Sequence, residues 1–246
     1  MATPLEKLEK KAGLLPKTKT PARSKLEDFN VFIYGPPKVG KTTLASQFDS
    51  PVFAATEAGL NALEAYQVSV PDWKTFLEFC AEIASGEHTF KTVVVDTIDN
   101  LFDACSEHVC KKAGVQHESD LDWGKGWAMV RDEFSRALTK LSLLPYGLVM
   151  ISHAKDVEMK TRTGNITKTI PTISEQGRRV ILPMADFILY CSMELTKDGP
   201  RRVIRTRPSE NWDAGTRFKE FPAEIEMSFS AFKKAFEEGI KSGRKA

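Results

Sequence analysis

Short apolar runs alternate with amphipathic segments along most of the chain. Residues 29–34 form a mostly apolar run, rich in β-branched and aromatic side chains, that ends at a glycine. Similar runs at 51–55, 92–96, 147–152, 186–192 and 201–206 predict further strands. The run at 92–96 is apolar on both faces, which is typical of a central parallel strand.

Segments with helical spacing of apolar residues lie between these runs. The spacing predicts helices over 41–48, 72–85, 99–113, 127–144 and 229–240, with Asp72 as the candidate N-cap of the second. Strands that alternate with helices indicate βαβ units. We therefore predict an α/β fold in which helices flank a mainly parallel central sheet.

The two ends of the chain differ from this pattern. Residues 1–28 contain three prolines and seven basic residues against four acidic ones, which predicts a basic, flexible N-terminal arm. This arm is either a polar tail or a segment that contacts a partner chain or DNA. Residues 29–227 form the predicted core, and residues 228–246 are predicted to be a C-terminal helix and basic tail.

Composition narrows the class of protein. The 246 residues are 41% hydrophobic and 28% charged, as in ordinary globular proteins, and the net charge of +2 does not indicate a nucleic-acid binder. Pro183 and Asp186 interrupt the longest apolar stretch, so we expect no membrane span. The chain does not start with an apolar secretory signal, and its four cysteines then indicate reduced thiols in a cytoplasmic protein.

The strongest motif lies between the first predicted strand and the first predicted helix. Residues 35–42 match the pattern G-x-x-x-x-G-K-[ST] at every fixed position. In this pattern backbone N–H groups surround phosphate oxygens, the lysine reaches the β- and γ-phosphates, and the hydroxyl binds Mg²⁺. The predicted cofactors are ATP and Mg²⁺. The predicted cofactor-binding residues are Gly35, Pro36, Pro37, Lys38, Val39, Gly40, Lys41, Thr42 and Thr43.

A carboxylate completes the predicted phosphate site. Asp96 ends the strand at 92–96, and we expect it to hold Mg²⁺ together with Thr42. Its alternative role is to cap the following helix. Ligands of such sheets bind outside the carboxyl ends of the strands, which is where both residues are predicted to lie.

These motifs resemble the RecA-type ATPase core, and in particular short phage-encoded RecA-like ATPases of the AAA-family ATP-binding kind. Some proteins of that kind are single-strand annealing recombinases. The resemblance extends over about residues 29–222 and rests on the phosphate loop and on five further segments, at 56–57, 94–99, 147–153, 185–190 and 214–217. It implies a RecA-like P-loop fold with a β-hairpin after the sensor strand, and ATP hydrolysis.

The resemblance also implies roles for individual residues. The implied catalytic residues are Lys41, Glu57, Asp96, His153 and Arg217. Glu57 would orient and deprotonate the attacking water, or it is a surface glutamate of a loop. His153 would sense the γ-phosphate where RecA itself has Gln, or it is a strand-end histidine bonded to the backbone. Candidate arginine fingers acting on a neighbour's ATP are Arg205, Arg207 and Arg217, each of which is otherwise an exposed arginine.

Two segments are candidates for contact with single-stranded DNA. In the first, near residues 111–127, basic residues alternate with tryptophans, although Glu118, Asp120 and Asp122 oppose binding and both tryptophans could instead belong to the core. The second, 154–170, is a predicted β-hairpin with its turn at 163–165, or an ordinary solvated hairpin. The predicted DNA-binding residues are Lys112, Trp123, Lys125, Lys160, Arg162 and Lys168.

The function we predict is ATP-dependent action on single-stranded DNA in phage-type recombination or annealing. The implied partners are single-stranded DNA, further copies of the chain with ATP at the subunit interfaces, and a phage single-strand-binding protein. One alternative is a replication or packaging NTPase that works through a protein partner. Another is a nucleotide switch that binds without hydrolysis. A small-molecule kinase is disfavoured, because the sequence has neither an acceptor-site motif nor a lid with clustered arginines.

Overall fold

The computed structural model describes residues 16, 18–161, 164–197 and 199–243. Within this part of the chain, three short 3-10 helices span Leu26–Asp28, Glu118–Asp120 and Asp122–Gly124. The α-helices are α1 (Lys41–Ala45), α2 (Trp73–Ser85), α3 (Ile98–Ala113), α4 (Lys125–Ser142), α5 (Glu175–Met184) and α6 (Phe229–Gly243). The strands are β1 (Asn30–Gly35), β2 (Pro51–Ala55), β3 (Tyr66–Ser69), β4 (Thr92–Asp96), β5 (Gly147–Thr161), β6 (Gly164–Pro171), β7 (Phe187–Thr196), β8 (Gly199–Arg205), β9 (Gly215–Thr216) and β10 (Glu224–Glu226).

One sheet runs through the molecule in the order β10-β8-β7-β1-β5-β4-β2-β3. The strands from β7 to β3 in this order are parallel, whereas β8, β9 and β10 add antiparallel pairs at one side. Tyr34 of β1 lies opposite Ser152 of β5 and Tyr190 of β7. The predicted mainly parallel sheet is confirmed, and its strands end at one common carboxyl edge.

Helices cover both faces of the sheet, as predicted. On one face, α2 to α5 bury an aromatic core in which the ring of Trp73 lies 5.2 Å from Phe76 and 6.0 Å from Phe134. On the other face, α1 and α6 pack over a second core that includes Phe53, Phe187 and Phe232. Strands β1, β2 and β4 lie between these layers and are buried on both sides, which explains their nearly continuous apolar sequences.

The predicted β-hairpin is present, and its first strand continues the central sheet. Strand β5 pairs with β1 and β4 as far as His153 and Ile151, and from Ala154 onward it pairs antiparallel with β6. Arg162, which lies between β5 and β6 in the sequence, is outside the described residues. The hairpin therefore projects beyond the carboxyl edge of the sheet.

Some elements differ from the predicted ones. Helix α1 ends at Ala45, earlier than predicted, and α5, β3, β9 and β10 were not predicted. Of the predicted basic arm, residues 1–15 and 17 lie outside the described residues, while Leu26 is buried as part of the second core. The domain limits at residues 28 and 227 stay predictions. No described helix has the length and apolar character needed to cross a membrane.

Candidate nucleotide-binding site

The phosphate loop joins the carboxyl end of β1 to α1, and its backbone requires glycine at two positions. A Cβ on Gly35 would collide with the main-chain carbonyl oxygen of Cys191 on the neighbouring strand β7. Gly40 has a φ of 109°, in the left-handed region that glycine adopts without steric cost. The local backbone geometry therefore requires glycine at both fixed glycine positions of the motif.

The side chain of Lys41 is held inside this loop and is only 5% exposed. Its Nζ donates hydrogen bonds of 2.9 Å to the carbonyl oxygens of Gly35 and Pro36. Burial lowers the pKa of Lys41, and the negative potential of Asp96 and Glu57 acts in the opposite direction. The ammonium group is therefore positioned at the loop that the motif assigns to phosphate.

Thr42 and Asp96 form the candidate magnesium site. Thr42 Oγ1 donates a hydrogen bond of 2.7 Å to Asp96 Oδ2, which joins the start of α1 to the end of β4. Asp96 is only 3% exposed, and burial raises its pKa, while the hydrogen bond from Thr42 lowers it. A hydroxyl and a carboxylate are oxygen ligands of the kind that Mg²⁺ takes beside nucleotide phosphates, so these residues fit the ion.

Glu57 and His153 face each other across the same site. Glu57 follows β2, and its Oε1 lies 3.6 Å from Nε2 of His153 on β5. Asn100, on the first turn of α3, donates a hydrogen bond of 3.4 Å to Glu57 Oε2. Asn100 was not predicted from the sequence. Its signal was its place four residues after Asp96, in the first turn of α3.

A pocket of about 500 Å³ lies over these residues. It is bounded by Lys41, Thr42, Asp96, Glu57 and His153, together with residues 37, 38 and 40 of the phosphate loop, Thr43, and residues 58, 59, 62 and 63. Its size is in the range of small-molecule sites in proteins. The structure therefore brings together four of the five predicted catalytic residues and most of the predicted phosphate loop.

A buried polar cluster beside His153 was not foreseen. Oδ1 of Asp99 accepts hydrogen bonds from Ser152 Oγ at 2.9 Å and from Thr172 Oγ1 at 2.6 Å. Burial raises the pKa of Asp99. The backbone N–H of Thr172 donates to the carbonyl of His153 at 3.0 Å. The cluster thus ties the start of α3 to both strands at the base of the hairpin.

Arg202 is a second residue that sequence reasoning missed. It lies on β8, and its Nη1 donates a hydrogen bond of 3.3 Å to the carbonyl oxygen of Val39 in the phosphate loop. Its cross-strand neighbour is Met193 of β7. The antiparallel pair β7–β8 therefore contacts the loop from the side opposite to β5, and nothing in the local sequence around Arg202 signals that contact.

The three candidate finger arginines all make contacts within the chain. Arg205 forms ion pairs with Glu194 and Glu224, and its guanidinium lies 4.9 Å from the ring centre of Trp212. Arg207 donates to the carbonyl of Lys219 at 2.8 Å.

Arg217 forms a 3.0 Å ion pair with Asp186, directly before β7 and so at the amino edge of the sheet. The structure therefore does not bring Arg217 to the site of its own chain, and action on a neighbour's ATP stays a prediction.

The first predicted DNA segment lies at the tip of a helical hairpin. Helices α3 and α4 pack antiparallel, with Phe102 against Phe134 at 5.0 Å and Cys105 Sγ 3.9 Å from the carbonyl of Val130. Trp123 at the tip is fully exposed, so its assignment to the core is wrong, whereas Trp127 is half-buried. Lys112 and Lys125 are exposed at the two helix ends.

The second predicted DNA segment, the β5–β6 hairpin, carries its cations unevenly. Lys155 and Lys160 are exposed on β5. Lys168 Nζ instead lies 2.7 Å from Asp213 Oδ1, in the segment that follows β8. Asn211 Nδ2 also donates to the carbonyl of Thr167 at 3.0 Å. Lys168 therefore anchors the hairpin to the body of the protein, and DNA contact by the hairpin stays a prediction.

Comparison with known proteins agrees with this geometry. Over 200 residues, which are 78% of the chain, it is 25% identical to the SPbeta prophage-derived uncharacterized protein YorG of Bacillus subtilis (strain 168). The chain spans 58% of the length of that relative. A family profile described as "AAA domain" matches residues 27–218, from just before β1 to beyond β9. The chain belongs to this AAA domain family of P-loop NTPases.

Proposed function

We propose that the pocket binds ATP with Mg²⁺ and hydrolyses it. The proposal depends on one contact above all, the 2.7 Å hydrogen bond between Thr42 and Asp96 next to the buried Lys41. Thr42 and Asp96 would hold Mg²⁺, which neutralises charge on the β- and γ-phosphates when it is bound. Family membership supports nucleotide chemistry in general, since P-loop NTPases share this arrangement.

The residues of the chain have distinct tasks in this reaction. Lys41 exchanges its hydrogen bonds with Gly35 and Pro36 for phosphate oxygens, so that its charge meets the transferring group. Glu57 accepts a proton from the water that attacks the γ-phosphorus, while the bond to the bridging oxygen of ADP breaks. His153 and Asn100 hold the Glu57 carboxylate from either side.

We further propose single-stranded DNA as the macromolecular ligand, in recombination or annealing. The support is that β5 continues without a break from the centre of the sheet, through His153, into a hairpin that exposes Lys155 and Lys160. Cations on a projecting hairpin suit a phosphate backbone. Similarity to a prophage-derived protein supports a phage origin, and with it a phage single-strand-binding protein as a further partner.

Assembly of several copies with ATP at their interfaces belongs to the same proposal. The three candidate arginines lie outside the chain's own pocket, so a finger would have to come from a neighbouring copy. One observation favours the replication or packaging alternative with a protein partner. Lys168 is ion-paired, and Asp156 and Glu158 are exposed on the hairpin, which reduces its positive charge.

Steady-state ATP turnover with and without single-stranded DNA tests this proposal. We expect Mg²⁺-dependent turnover that rises with added DNA and is absent in Lys41→Ala. Turnover that is unaffected by DNA but raised by a host or phage protein would favour the alternative. ATP binding without any turnover, with or without DNA, would contradict the enzymatic proposal and leave a nucleotide switch.

A further inference from the structure

Two surfaces at opposite ends of the molecule differ in complementary ways: one exposes an aromatic ring beside carboxylates, and the other is an apolar pocket lined by two arginines. The first is the Trp123 loop, residues 114–124 between α3 and α4. The second is the phenylalanine pocket, a cavity of about 230 Å³. Among the residues that line the pocket are Ala22, Arg23, Phe29, Arg217, Phe218 and Ile240.

Trp123 presents a large apolar ring to solvent in an unfavourable backbone conformation. Its side chain is fully exposed, and its φ of 57° lies in the left-handed region that bulky residues rarely adopt. Gly124 beside it has a φ of 69°. An exposed aromatic residue held at such an angle is an arrangement that recognition sites use, because burial of the ring in a partner recovers the cost.

The Trp123 loop is held in place by buried contacts. Glu118 is only 6% exposed and accepts a hydrogen bond from Ser106 of α3. Its main chain lies so close to Gly126 of α4 that a Cβ there would collide with it. Asp120 Oδ2 accepts a hydrogen bond of 2.8 Å from the N–H of His117. A loop built in this way presents Trp123 at a low entropic cost of binding.

The charge of the loop favours a cationic protein surface over DNA. Asp120 and Asp122 are exposed just before Trp123 in the sequence, and Glu118 adds a third carboxylate. The nearest lysine in sequence, Lys125, opposes only one of these charges. A net negative loop repels phosphates, so that a stacking role on DNA would have to overcome this repulsion.

The phenylalanine pocket has the matching properties. The rings of Phe29 and Phe218 lie 5.4 Å apart, and Ile240 of α6 closes the apolar wall. Arg23 and Arg217 stand at the rim, and the side chain of Arg217 is 62% exposed although it is paired with Asp186. Guanidinium groups both pair with carboxylates and stack on indole rings.

The two surfaces cannot meet within one chain. Trp73 begins α2 beyond the carboxyl end of β3 and contacts Phe134 of α4. Lys125 starts α4 nine residues earlier, roughly 13 Å further beyond that edge at 1.5 Å per residue. Phe29 directly precedes β1, and Arg217 pairs with the residue before β7, so the pocket lies at the amino edge.

We propose that Trp123 of one copy inserts into the phenylalanine pocket of the next copy, with Asp120 and Asp122 facing Arg23 and Arg217. The contact joins two different surfaces, so it generates a ring or an open filament. It brings the amino edge of one copy against the edge of its neighbour that carries the nucleotide pocket. The inference rests on the proposed function, since this contact would be the subunit interface of the proposed assembly.

Sedimentation velocity of the full chain without nucleotide, over a range of concentrations, tests the contact. We expect concentration-dependent assembly of the wild type. Trp123→Ala should raise the dissociation constant at least about 30-fold, the usual loss for a buried aromatic hot spot. Ala22→Trp, which fills the pocket with the chain's own side chain, should weaken assembly similarly. Tyr66→Ala, at an aromatic side chain 72% exposed on the edge strand β3, is the matched control and should assemble normally.

A mixing experiment identifies the contact as head-to-tail. Trp123→Ala keeps an intact pocket and Ala22→Trp keeps an intact Trp123, so an equimolar mixture should form a dimer and nothing larger. Charge reversal gives a second check, because Asp122→Arg and Arg23→Glu should each weaken assembly and their combination in one chain should restore it.

Several outcomes overturn the inference. The inference is wrong if the wild type stays monomeric, or if Trp123→Ala and Ala22→Trp both assemble like the wild type. Normal assembly of Trp123→Ala with weakened single-stranded DNA binding would assign the loop to DNA. ATP turnover measured on the same samples separates the two proposals. Assembly through these surfaces without any ATP turnover would contradict the proposed ATPase activity and support the proposed interface. ATP turnover without assembly would support the ATPase activity and contradict the interface.

Discussion

Glu57 Oε1 lies 3.6 Å from Nε2 of His153, so the candidate base faces the strand that continues into the hairpin. Asn100 of α3 donates a hydrogen bond to the other carboxylate oxygen. Side chains from α3 and β5 therefore meet the Glu57 carboxylate at the edge of the sheet. The contact also joins the residue that would activate water to the residue that would sense phosphate.

Glu57→Gln should retain ATP binding and lose most of its turnover. The amide keeps the shape and the hydrogen bond from Asn100 but cannot accept a proton, and general-base catalysis contributes about 10²–10⁴-fold. Single-turnover hydrolysis and binding of a fluorescent ATP analogue measure the two effects. Glu64→Gln, at an exposed glutamate of the same loop region, is the control. Turnover within about twofold of wild type would place the base elsewhere.

Lys41→Ala should abolish hydrolysis and weaken nucleotide binding while the fold is kept. Lys41 Nζ contacts two loop carbonyls and no carboxylate, so its removal breaks no ion pair of the core. Removal of a charged group that contacts the transferring phosphate typically lowers the turnover rate by about 10²–10³-fold or more. Circular dichroism and turnover are the measurements. Lys38→Ala changes an exposed lysine of the same loop, and a loss of turnover equal to that of Lys41→Ala would contradict the special role of Lys41.

Asp96→Asn should stabilise the nucleotide-free protein while it removes Mg²⁺-dependent turnover. Burial raises the pKa of Asp96, so between its ordinary value of 3.8 and its folded value the folded state binds more protons than the unfolded state. The carboxylate therefore costs stability as the pH rises through the folded pKa. The asparagine can still accept the hydrogen bond from Thr42.

Denaturant unfolding at pH 5 and pH 8 measures this effect. We expect Asp96→Asn to raise the free energy of unfolding by about 0.5–2 kcal/mol, the usual gain on relief of a functional strain, with the larger gain at pH 8. Mg²⁺ and nucleotide binding by the wild type needs the ionised Asp96 carboxylate. Their affinity should therefore fall as the pH is lowered, whereas the free energy of unfolding should rise. A variant less stable than wild type at both pH values would show that Asp96 is a structural cap.

Replacing Lys155 and Lys160 together by alanine should weaken single-stranded DNA binding. Each phosphate contact that is lost should reduce the salt dependence of the binding constant by about 0.7 in the logarithmic slope. Fluorescence anisotropy of labelled DNA at several salt concentrations measures the slope. The pair Lys74→Ala and Lys140→Ala, at exposed lysines of α2 and α4, is the control. An unchanged slope would remove the hairpin from the DNA surface.

The sequence predicts the elements that carry the phosphate site because local and global signals coincide there. Strands β1 and β4 are buried on both faces, and the phosphate loop requires its glycines for steric reasons that any P-loop shares. Helix α5 escaped prediction because Gly177 and Pro183 are poor helix formers, although Ser174 caps it by accepting a hydrogen bond from Gly177. Its helical state depends on packing against α4.

Other features depend on partners that are distant in sequence. Strand β3 is exposed along its whole length, and only its pairing with β2 makes it a strand. Lys168 and Arg217, two predicted functional cations, are ion-paired within the chain with Asp213 and Asp186. Counting charges along the sequence cannot reveal such pairs, because the tertiary structure determines which charged residues become neighbours.

The unbroken course of β5 gives the molecule a mechanical property. From His153 to Thr161 the strand extends about 26 Å, at roughly 3.3 Å per residue, and β6 stiffens it along this whole length. A tilt of about 5° at His153 would therefore displace the hairpin tip by about 2 Å. The segment would act as a lever whose short arm ends at the candidate nucleotide pocket and whose long arm ends in solvent. A small displacement of His153 at the pocket would become a larger displacement of the hairpin tip.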